Sequence, residues 1–388
     1  MAIINLYQAT DMINPQIFYG TVTSATSSSI TIDNYSGHSG IYTGSFFYSG
    51  NNLAGGTITS YTTYNNYSLA ATINGVSLNA LTVNAYLNSG DALGLYQFVL
   101  SGNDVITGSA VDDAITGYAG NDTIYGGSGN DLISGGVGND YLDGGFGTDT
   151  ALFTIFKSSI TDIHHLKSGG AAITSSEGTD TLINIENLFF LDSSLLDNLS
   201  IEALIASRPL PTFTSIDSNG ASTSVSPTLY TGPVTFLEYE LLGNTTGDVI
   251  IGSTGNDFMN LLGGDDAANG GLGDDVLDGG TGSNFLTGGG GTDTLFLDGR
   301  GGTTTWSTVT DFTSGDQVNI WGWNAGVSKL LLTDAHGGAT GYTGATFHYD
   351  LDNNGSIDTS ITFTGLSLAA IPTGAAMSVV GNGYLLIG

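Results

Sequence analysis

The stretch "GGSGNDLISGGVGNDYLDGG", Gly126 to Gly145, states nearly the same nine residues twice. Each copy runs through glycines to an aspartate and then, two residues on, to an aliphatic residue: Asp131 with Ile133, Asp140 with Leu142. Written as GGxGxDxUx, with U a large aliphatic residue, the pattern fits six copies over 99–152. Their sixth-position acids are Asp104, Asp113, Asp122, Asp131, Asp140 and Asp149, and their eighth-position residues are Ile106, Ile115, Ile124, Ile133, Leu142 and Ala151. Six more copies occupy 243–296. There the sixth position holds Asp248, Asp257, Asp266, Asp275, Asn284 and Asp293, and the eighth holds Ile250, Met259, Ala268, Leu277, Leu286 and Leu295. Repetition at a fixed short period is the signature of a solenoid.

The nine residues have a physical reading. GGxGx is a turn, because glycine tolerates positive φ and lets carbonyl groups approach without a Cβ in the way. The next three residues form a short strand whose middle side chain points inward and whose neighbours point out. Two nonapeptides then make one circuit, and turns eighteen residues apart lie above one another. Stacking therefore brings carboxylates together. Two like charges about 4 Å apart repel by roughly 4 kcal/mol at an effective dielectric of 20. A hard divalent cation reverses that sign. All-oxygen ligands suit Ca²⁺, whereas Mg²⁺ demands a tighter octahedron. The plainer reading is a metal-free solenoid with aspartates as turn caps, but neutral residues would fill such turns without the repulsion.

Both blocks resemble the RTX (repeats-in-toxin) calcium-binding nonapeptide, whose family fold is the parallel β-roll. Gly126–Ser134, Gly135–Asp143 and Gly270–Asp278 match at every position. The resemblance implies that one loop lends its second and fourth carbonyls and its aspartate, and that the loop eighteen residues on lends its first and third carbonyls and its aspartate. Carried onto this chain, one site uses Gly127, Gly129 and Asp131 with Gly144, Phe146 and Asp149. The other pairs are Asp104–Asp122, Asp113–Asp131, Asp122–Asp140, Asp248–Asp266, Asp257–Asp275, Asp266–Asn284 and Asp275–Asp293. Asn284 lacks the charge, and Val111 and Thr246 stand where glycine is expected, so the sites at those turns are expected to be weak. The resemblance also implies type I secretion on an uncleaved C-terminal signal. "DTLINIENLFFLD" resembles the segment that caps such blocks. "TDFTSGDQVNI" and "FHYDLDNNGSIDTSITF" resemble the C-terminal region of secreted members.

Composition narrows the partners. Against 36 Asp and Glu stand only 5 Lys and Arg, for a formal charge of −31. Phosphate binding needs clustered cations, so nucleic acid is excluded as a partner. No stretch is long and apolar enough to span a bilayer, so membrane insertion is not expected. There is no cysteine, hence no disulfide or thiolate site. "MAIINLYQATDMINP" has no basic region followed by an apolar run, unlike a cleaved secretory leader.

The expected fold is all-β, with two parallel β-rolls, an N-terminal antiparallel β domain and a C-terminal β cap. Residues 1–98 hold only Asp11, Asp33 and Asp91 as acids and ten of the eighteen tyrosines. Alternating runs such as "SSSITIDNY" predict strands, "SLNALTVNAYL" a strand or a short helix, and the region as a whole one antiparallel β domain with sandwich packing. Residues 153–198 read as a β cap ending in a helical turn. Residues 199–242, with four of the six prolines, read as linker and entry to the second half. Residues 297–388 read as a β cap carrying the secretion signal.

Other constellations are weaker. "DLDNNGSID", Asp350 to Asp358, imitates the start of an EF-hand loop, but its twelfth position is Ile361 and its flanks are strand-like, so a hairpin turn is the expectation. The histidines lack H-E-x-x-H, and no G-x-S-x-G occurs. Trp306, Trp321 and Trp323 read as packing residues, with a sugar platform as the alternative. No catalytic residue is assigned, and the chain is read as not an enzyme. The expected function is an extracellular, bacterial, calcium-folded structural protein that self-assembles through residues 1–98 into a surface layer, filament or matrix. The alternatives are a calcium-dependent adhesin binding a cell-surface glycan, and a secreted hydrolase, for which no residue speaks.

Overall fold

The computed structural model describes all residues except 14, 16–19, 35–36, 167–168, 193–198, 208–212, 217–221, 226, 235, 301–302, 373 and 380–381. The chain divides into two compact units, Met1–Ile163 with Ser168–Ser207 and His164–Lys167 with Arg208–Gly388. Both are built mostly of strands.

In the first unit the nonapeptides wind a roll. Strands Val105–Thr107, Thr123–Ser128 and Tyr141–Phe146 stack in parallel on one side, with Ile106, Ile124 and Leu142 in register. Strands Ala114–Thr116, Leu132–Ser134 and Thr150–Leu152 stack on the other. The register step is eighteen residues throughout, as two nonapeptides per circuit require. All six eighth-position side chains are buried in one core. Burying each isoleucine or leucine contributes about 1.5–3 kcal/mol. The turns need glycine at particular points: Gly129 has φ +124°, and a Cβ there would lie 2.5 Å from the Val111 carbonyl carbon.

The roll continues past 152. Thr179–Ile183 adds a parallel rung beside Tyr141–Phe146, and Asn187–Phe189 adds one beside Thr150–Leu152. Ala171–Thr174 continues the first of these sheets antiparallel to Thr179–Ile183. The helical turn expected at the end of this segment lies outside the described residues. A helix, Ile201–Ser207, follows.

Residues 1–98 are not a separate sandwich. Five strands, Thr21–Ala25, Ser29–Asp33, Ser39–Ser49, Asn52–Asn65 and Ser68–Asn74, run as an antiparallel meander. Strand Ile3–Leu6 joins this meander to the roll: it pairs antiparallel with Ser68–Asn74 and parallel with Val105–Thr107. The second layer is helical. "SLNALTVNAYL" resolves as helix Ala80–Ser89, because Asn79 accepts the Leu81 and Thr82 N–H groups and Gly90 adopts φ 75° at the far end. Helix Ala92–Val99 follows, capped by Asp91. Phe46 and Ile58 of the sheet pack with Ala80 and Val83 of the first helix.

The second unit repeats the design. Val249–Ile251, Ala267–Leu272 and Phe285–Gly290 form one side of its roll, and Asp257–Asn260, Val276–Thr281 and Thr294–Asp298 form the other. Tyr239–Leu242 already pairs in parallel with Asp257–Asn260, so the roll begins within the segment read as a linker. It also extends beyond 296, through Thr305–Val309 and Thr359–Thr364 on one side and Gln317–Trp321 on the other. Antiparallel strands finish both sides: Asn382–Ile387 pairs with Gln317–Trp321, and Gly344–Asp350 pairs with Thr359–Thr364. Strand Lys329–Gly337 forms the outer edge of the latter sheet.

Candidate metal centre

Each sixth-position residue sits where a turn enters a short strand, so the stacking of strands also stacks the acids. The eight pairs expected from the sequence are all joined in the same way. The backbone N–H of one aspartate donates to the side-chain Oδ1 of the residue eighteen positions on: Asp104 to Asp122 at 2.7 Å, Asp113 to Asp131, Asp122 to Asp140 and Asp131 to Asp149 each at 2.8 Å. In the second roll Asp248 donates to Asp266 and Asp257 to Asp275 at 2.7 Å, Asp266 to Asn284 at 3.0 Å and Asp275 to Asp293 at 2.9 Å.

One carboxylate oxygen is thereby used and the other is not. Oδ2 of Asp104, Asp122, Asp131, Asp140, Asp149, Asp266 and Asp275 is buried without a hydrogen-bond partner, as is Oδ1 of Asp257. Such orphaned buried acceptors are rare in native proteins, and each calls for an explanation. The oxygens rest in cradles that only glycine leaves open. A Cβ on Gly117 would lie 2.2 Å from Asp122 Oδ2, one on Gly135 2.1 Å from Asp140 Oδ2, and one on Gly270 2.1 Å from Asp275 Oδ2. In the Gly127–Asp131 and Gly144–Asp149 loops, the Gly129 N–H donates to the Phe146 carbonyl at 2.9 Å. Asp131 and Asp149 are joined directly below. The structure therefore brings together the two loops to which the sequence assigns one site.

Burial pushes these carboxylic acids upward. Asp122 rises to about 7 and Asp131 to about 6, mainly through desolvation, with the neighbouring acids of the ladder adding to it. In the second roll Asp257 rises to about 7 and Asp275 to about 9 for the same leading cause. A bound cation would favour the ionised form of these groups, and the donors offered are carboxylate and carbonyl oxygens, the set that Ca²⁺ prefers.

In four copies a neighbouring group or the side chain's own amide takes the place of the free oxygen. Asp113 Oδ2 accepts the Ser109 N–H at 2.7 Å, and Asp257 Oδ2 accepts both the Ser253 N–H and its hydroxyl. Asp248 is held by the Asn244 N–H and side-chain amide, each at 2.7 Å. Asn284 is the most informative. Its Oδ1 keeps the ladder bond, while its Nδ2 donates to the Gly279 carbonyl at 2.7 Å. An amide hydrogen thus bridges a turn carbonyl at the place where the intact copies present a bare carboxylate oxygen.

Sequence reading missed two features. The ladder is completed by residues outside the repeats: Asp140 N–H donates to Asp180, Asp149 to Glu186 and Asp293 to Asp316. Asp180 had a signal, since "GTDTL" at Gly178–Leu182 copies "GTDTL" at Gly291–Leu295. At the other end, the backbone N–H groups of Ala2 and Thr10 donate to Asp104 and Asp113. The second feature is a ladder on the fifth position, running in the opposite sense. Asn121 N–H donates to Asn103 Oδ1, Asn130 to Asp112, Asn139 to Asn121 and Thr148 to Asn130, at 2.8–2.9 Å. The recurrent "GND" was its signal.

The other candidates stay apart from this machinery. Asp350–Asp358 is a hairpin turn between Gly344–Asp350 and Thr359–Thr364. The carboxylates of Asp350, Asp352 and Asp358 gather there, with the Asn353 and Gly355 N–H groups donating into Asp350. The tryptophans each serve a different contact: Trp306 donates to Thr362, Trp321 stacks on Phe296, and Trp323 meets Tyr349 edge-on.

Two rolls, each with its own glycine-cradled carboxylate ladder, define a calcium-binding parallel β-roll protein. The RTX calcium-binding nonapeptide repeat matches this chain in four copies, over residues 99–133, 116–151, 242–277 and 269–299. The two blocks are thus RTX nonapeptide repeats, and calcium is the ion they bind. A comparison with curated proteins gives no match. Among solved structures, the extracellular lipase LipA from Serratia marcescens is similar at 16% identity with a TM-score of 0.27, over 69% of this chain and 38% of that one. The matched part is thus well under half of the lipase. No helix among the described residues is long and apolar enough to cross a membrane.

Proposed function

We propose that this is a secreted, non-enzymatic structural protein that folds on meeting calcium outside the cell and self-assembles through residues 1–98 into a surface layer, filament or matrix. The observation that carries the calcium half is the set of orphaned carboxylate oxygens in the two rolls. For assembly, the support is the outer strand Thr21–Ala25. It ends its sheet, all five of its residues are exposed, and none is charged. An uncharged exposed edge offers unpaired backbone groups to another strand. Calcium also removes an obstacle, since each ion offsets two of the negative charges that keep copies of a −31 chain apart.

Removing 1–98 outright is a poor test, because Ile3–Leu6 is a rung of the first sheet. The sharper variant is Val22→Lys with Ser24→Lys, which places charge on the edge alone. Electron microscopy with calcium is expected to show ordered assemblies for the parent chain, and dispersed particles for the parent with chelator and for the lysine variant. Identical assemblies from the variant would place the interface elsewhere. Dispersed parent protein in calcium would overturn the assembly reading.

A further inference from the structure

Strand Lys329–Gly337 is another exposed edge, and it combines apolar and oppositely charged residues. Eight of its nine residues are exposed, and three consecutive leucines are among them: Leu330 at 47%, Leu331 at 41% and Leu332 at 57%. Lys329, one of only five Lys and Arg in the chain, stands at its start. Asp334 stands near its end, using one oxygen to accept the His336 N–H at 2.9 Å.

The register on the inner side decides what the outer side can do. Lys329 lies opposite Asp350, Leu330 opposite Tyr349, Leu332 opposite His348, Thr333 opposite Phe347 and Asp334 opposite Thr346. Leu331 is the extra residue of a bulge. It shifts the alternation by one, so Lys329 and Asp334, five apart in sequence, face partners four apart and share one face of the sheet. That parity is what a two-fold antiparallel contact needs. If a second copy is laid against this edge about Leu332, with Leu331 bulged in each, Lys329 of each copy falls opposite Asp334 of the other, Leu330 opposite Thr333 and Leu332 opposite Leu332.

We propose that strand Lys329–Gly337 is a homodimer contact, formed by two-fold antiparallel pairing with a second copy of this chain. Two cross-strand Lys329–Asp334 pairs set its register, because any slip leaves the lysine without its acid. The contact is isologous, so each copy contributes the same strand and the pairing closes at two. An edge with three adjacent exposed leucines and a self-complementary charge pair is thereby covered rather than left open to indiscriminate pairing. The inference deepens the proposed self-association by adding a contact in the second unit, and its readout does not depend on what the Val22 and Ser24 substitutions do.

The chain has no cysteine, so one introduced thiol can form a disulfide only between copies. Directly opposed cross-strand residues fall within the Cα separation that a disulfide spans. Full-length Leu332→Cys with calcium and mild oxidant is expected to give a covalent dimer at least tenfold faster than Leu229→Cys, an exposed strand residue elsewhere. In the Leu332→Cys background, Lys329→Asp alone and Asp334→Lys alone should each slow the crosslink several-fold. The double exchange should restore it, which also shows that the single variants had not failed for want of folding. Equal rates for the two cysteine positions, or no restoration by the double exchange, would overturn the proposal.

Discussion

At the scale of one residue, an aspartate such as Asp131 divides two roles between its oxygens: Oδ1 accepts the Asp113 N–H of the coil before it, and Oδ2 is buried without a hydrogen-bond partner, free for an ion. Asn284 separates these roles, since it keeps the cap and replaces the ion with its own amide. Asn284→Asp is therefore expected to raise calcium stoichiometry by one, measured by titration of the metal-free protein. Asp131 belongs to two pairs and Asp104 to one. Asp131→Ala should accordingly lose more bound calcium than Asp104→Ala, and equal losses would contradict the stacking. The acids also set an unusual pH dependence. Their folded values, about 7 for Asp122 and about 9 for Asp275, lie above the roughly 4 of an unfolded aspartate. The calcium-free fold therefore binds more protons than the unfolded chain. Its stabilisation is present in full below about pH 4 and is lost as pH rises through about 6 to 9. Metal-free protein should melt at a higher temperature at pH 5 than at pH 8, while calcium-loaded protein should not show that order.

At the scale of the element, a three-residue strand between glycine turns has almost no stability of its own and exists through its neighbours. Gly138 has φ +149°, and a Cβ on it would stand 1.8 Å from the Gly120 carbonyl oxygen one coil below. Gly138→Ala is expected to cost about 2–4 kcal/mol and to weaken calcium binding at that edge. Gly341→Ala, with nothing within 4 Å, should cost about 1 kcal/mol through strain alone. Calorimetry in calcium checks both. The period of nine made this much of the fold legible: strand positions, inward residues and the eighteen-residue register all follow from the repeat. What was not legible has a physical cause in each case. The helix at Ala80–Ser89 depends on caps at Asn79 and Gly90, while its apolar residues fit a strand as well. Joining Ile3–Leu6 to Val105–Thr107 is a contact across a hundred residues, which no local pattern records. Asp316 closes the ladder from a segment with no nonapeptide, so only the fold reveals it.

At the scale of the whole molecule, stability is tied to an ion supplied from outside. Each site at ten times its dissociation constant adds about 1.4 kcal/mol. Several such sites together reach the total stability of an ordinary domain, about 5–15 kcal/mol. Circular dichroism should show little β-structure in chelator at neutral pH and its recovery in millimolar calcium; identical spectra would contradict this. The two opposed ladders carry one more consequence. Every coil takes in one set of hydrogen-bond arrows at one boundary and hands on an identical set at the next. The closing groups, Ala2 and Thr10 at one end of the first roll and Asp180 and Glu186 at the other, never see the coils between. The length of a roll is thus quantised. Eighteen residues can be spliced in or out and both ends find the same chemistry waiting, whereas nine would exchange the two edges and strand every closing group opposite the wrong wall.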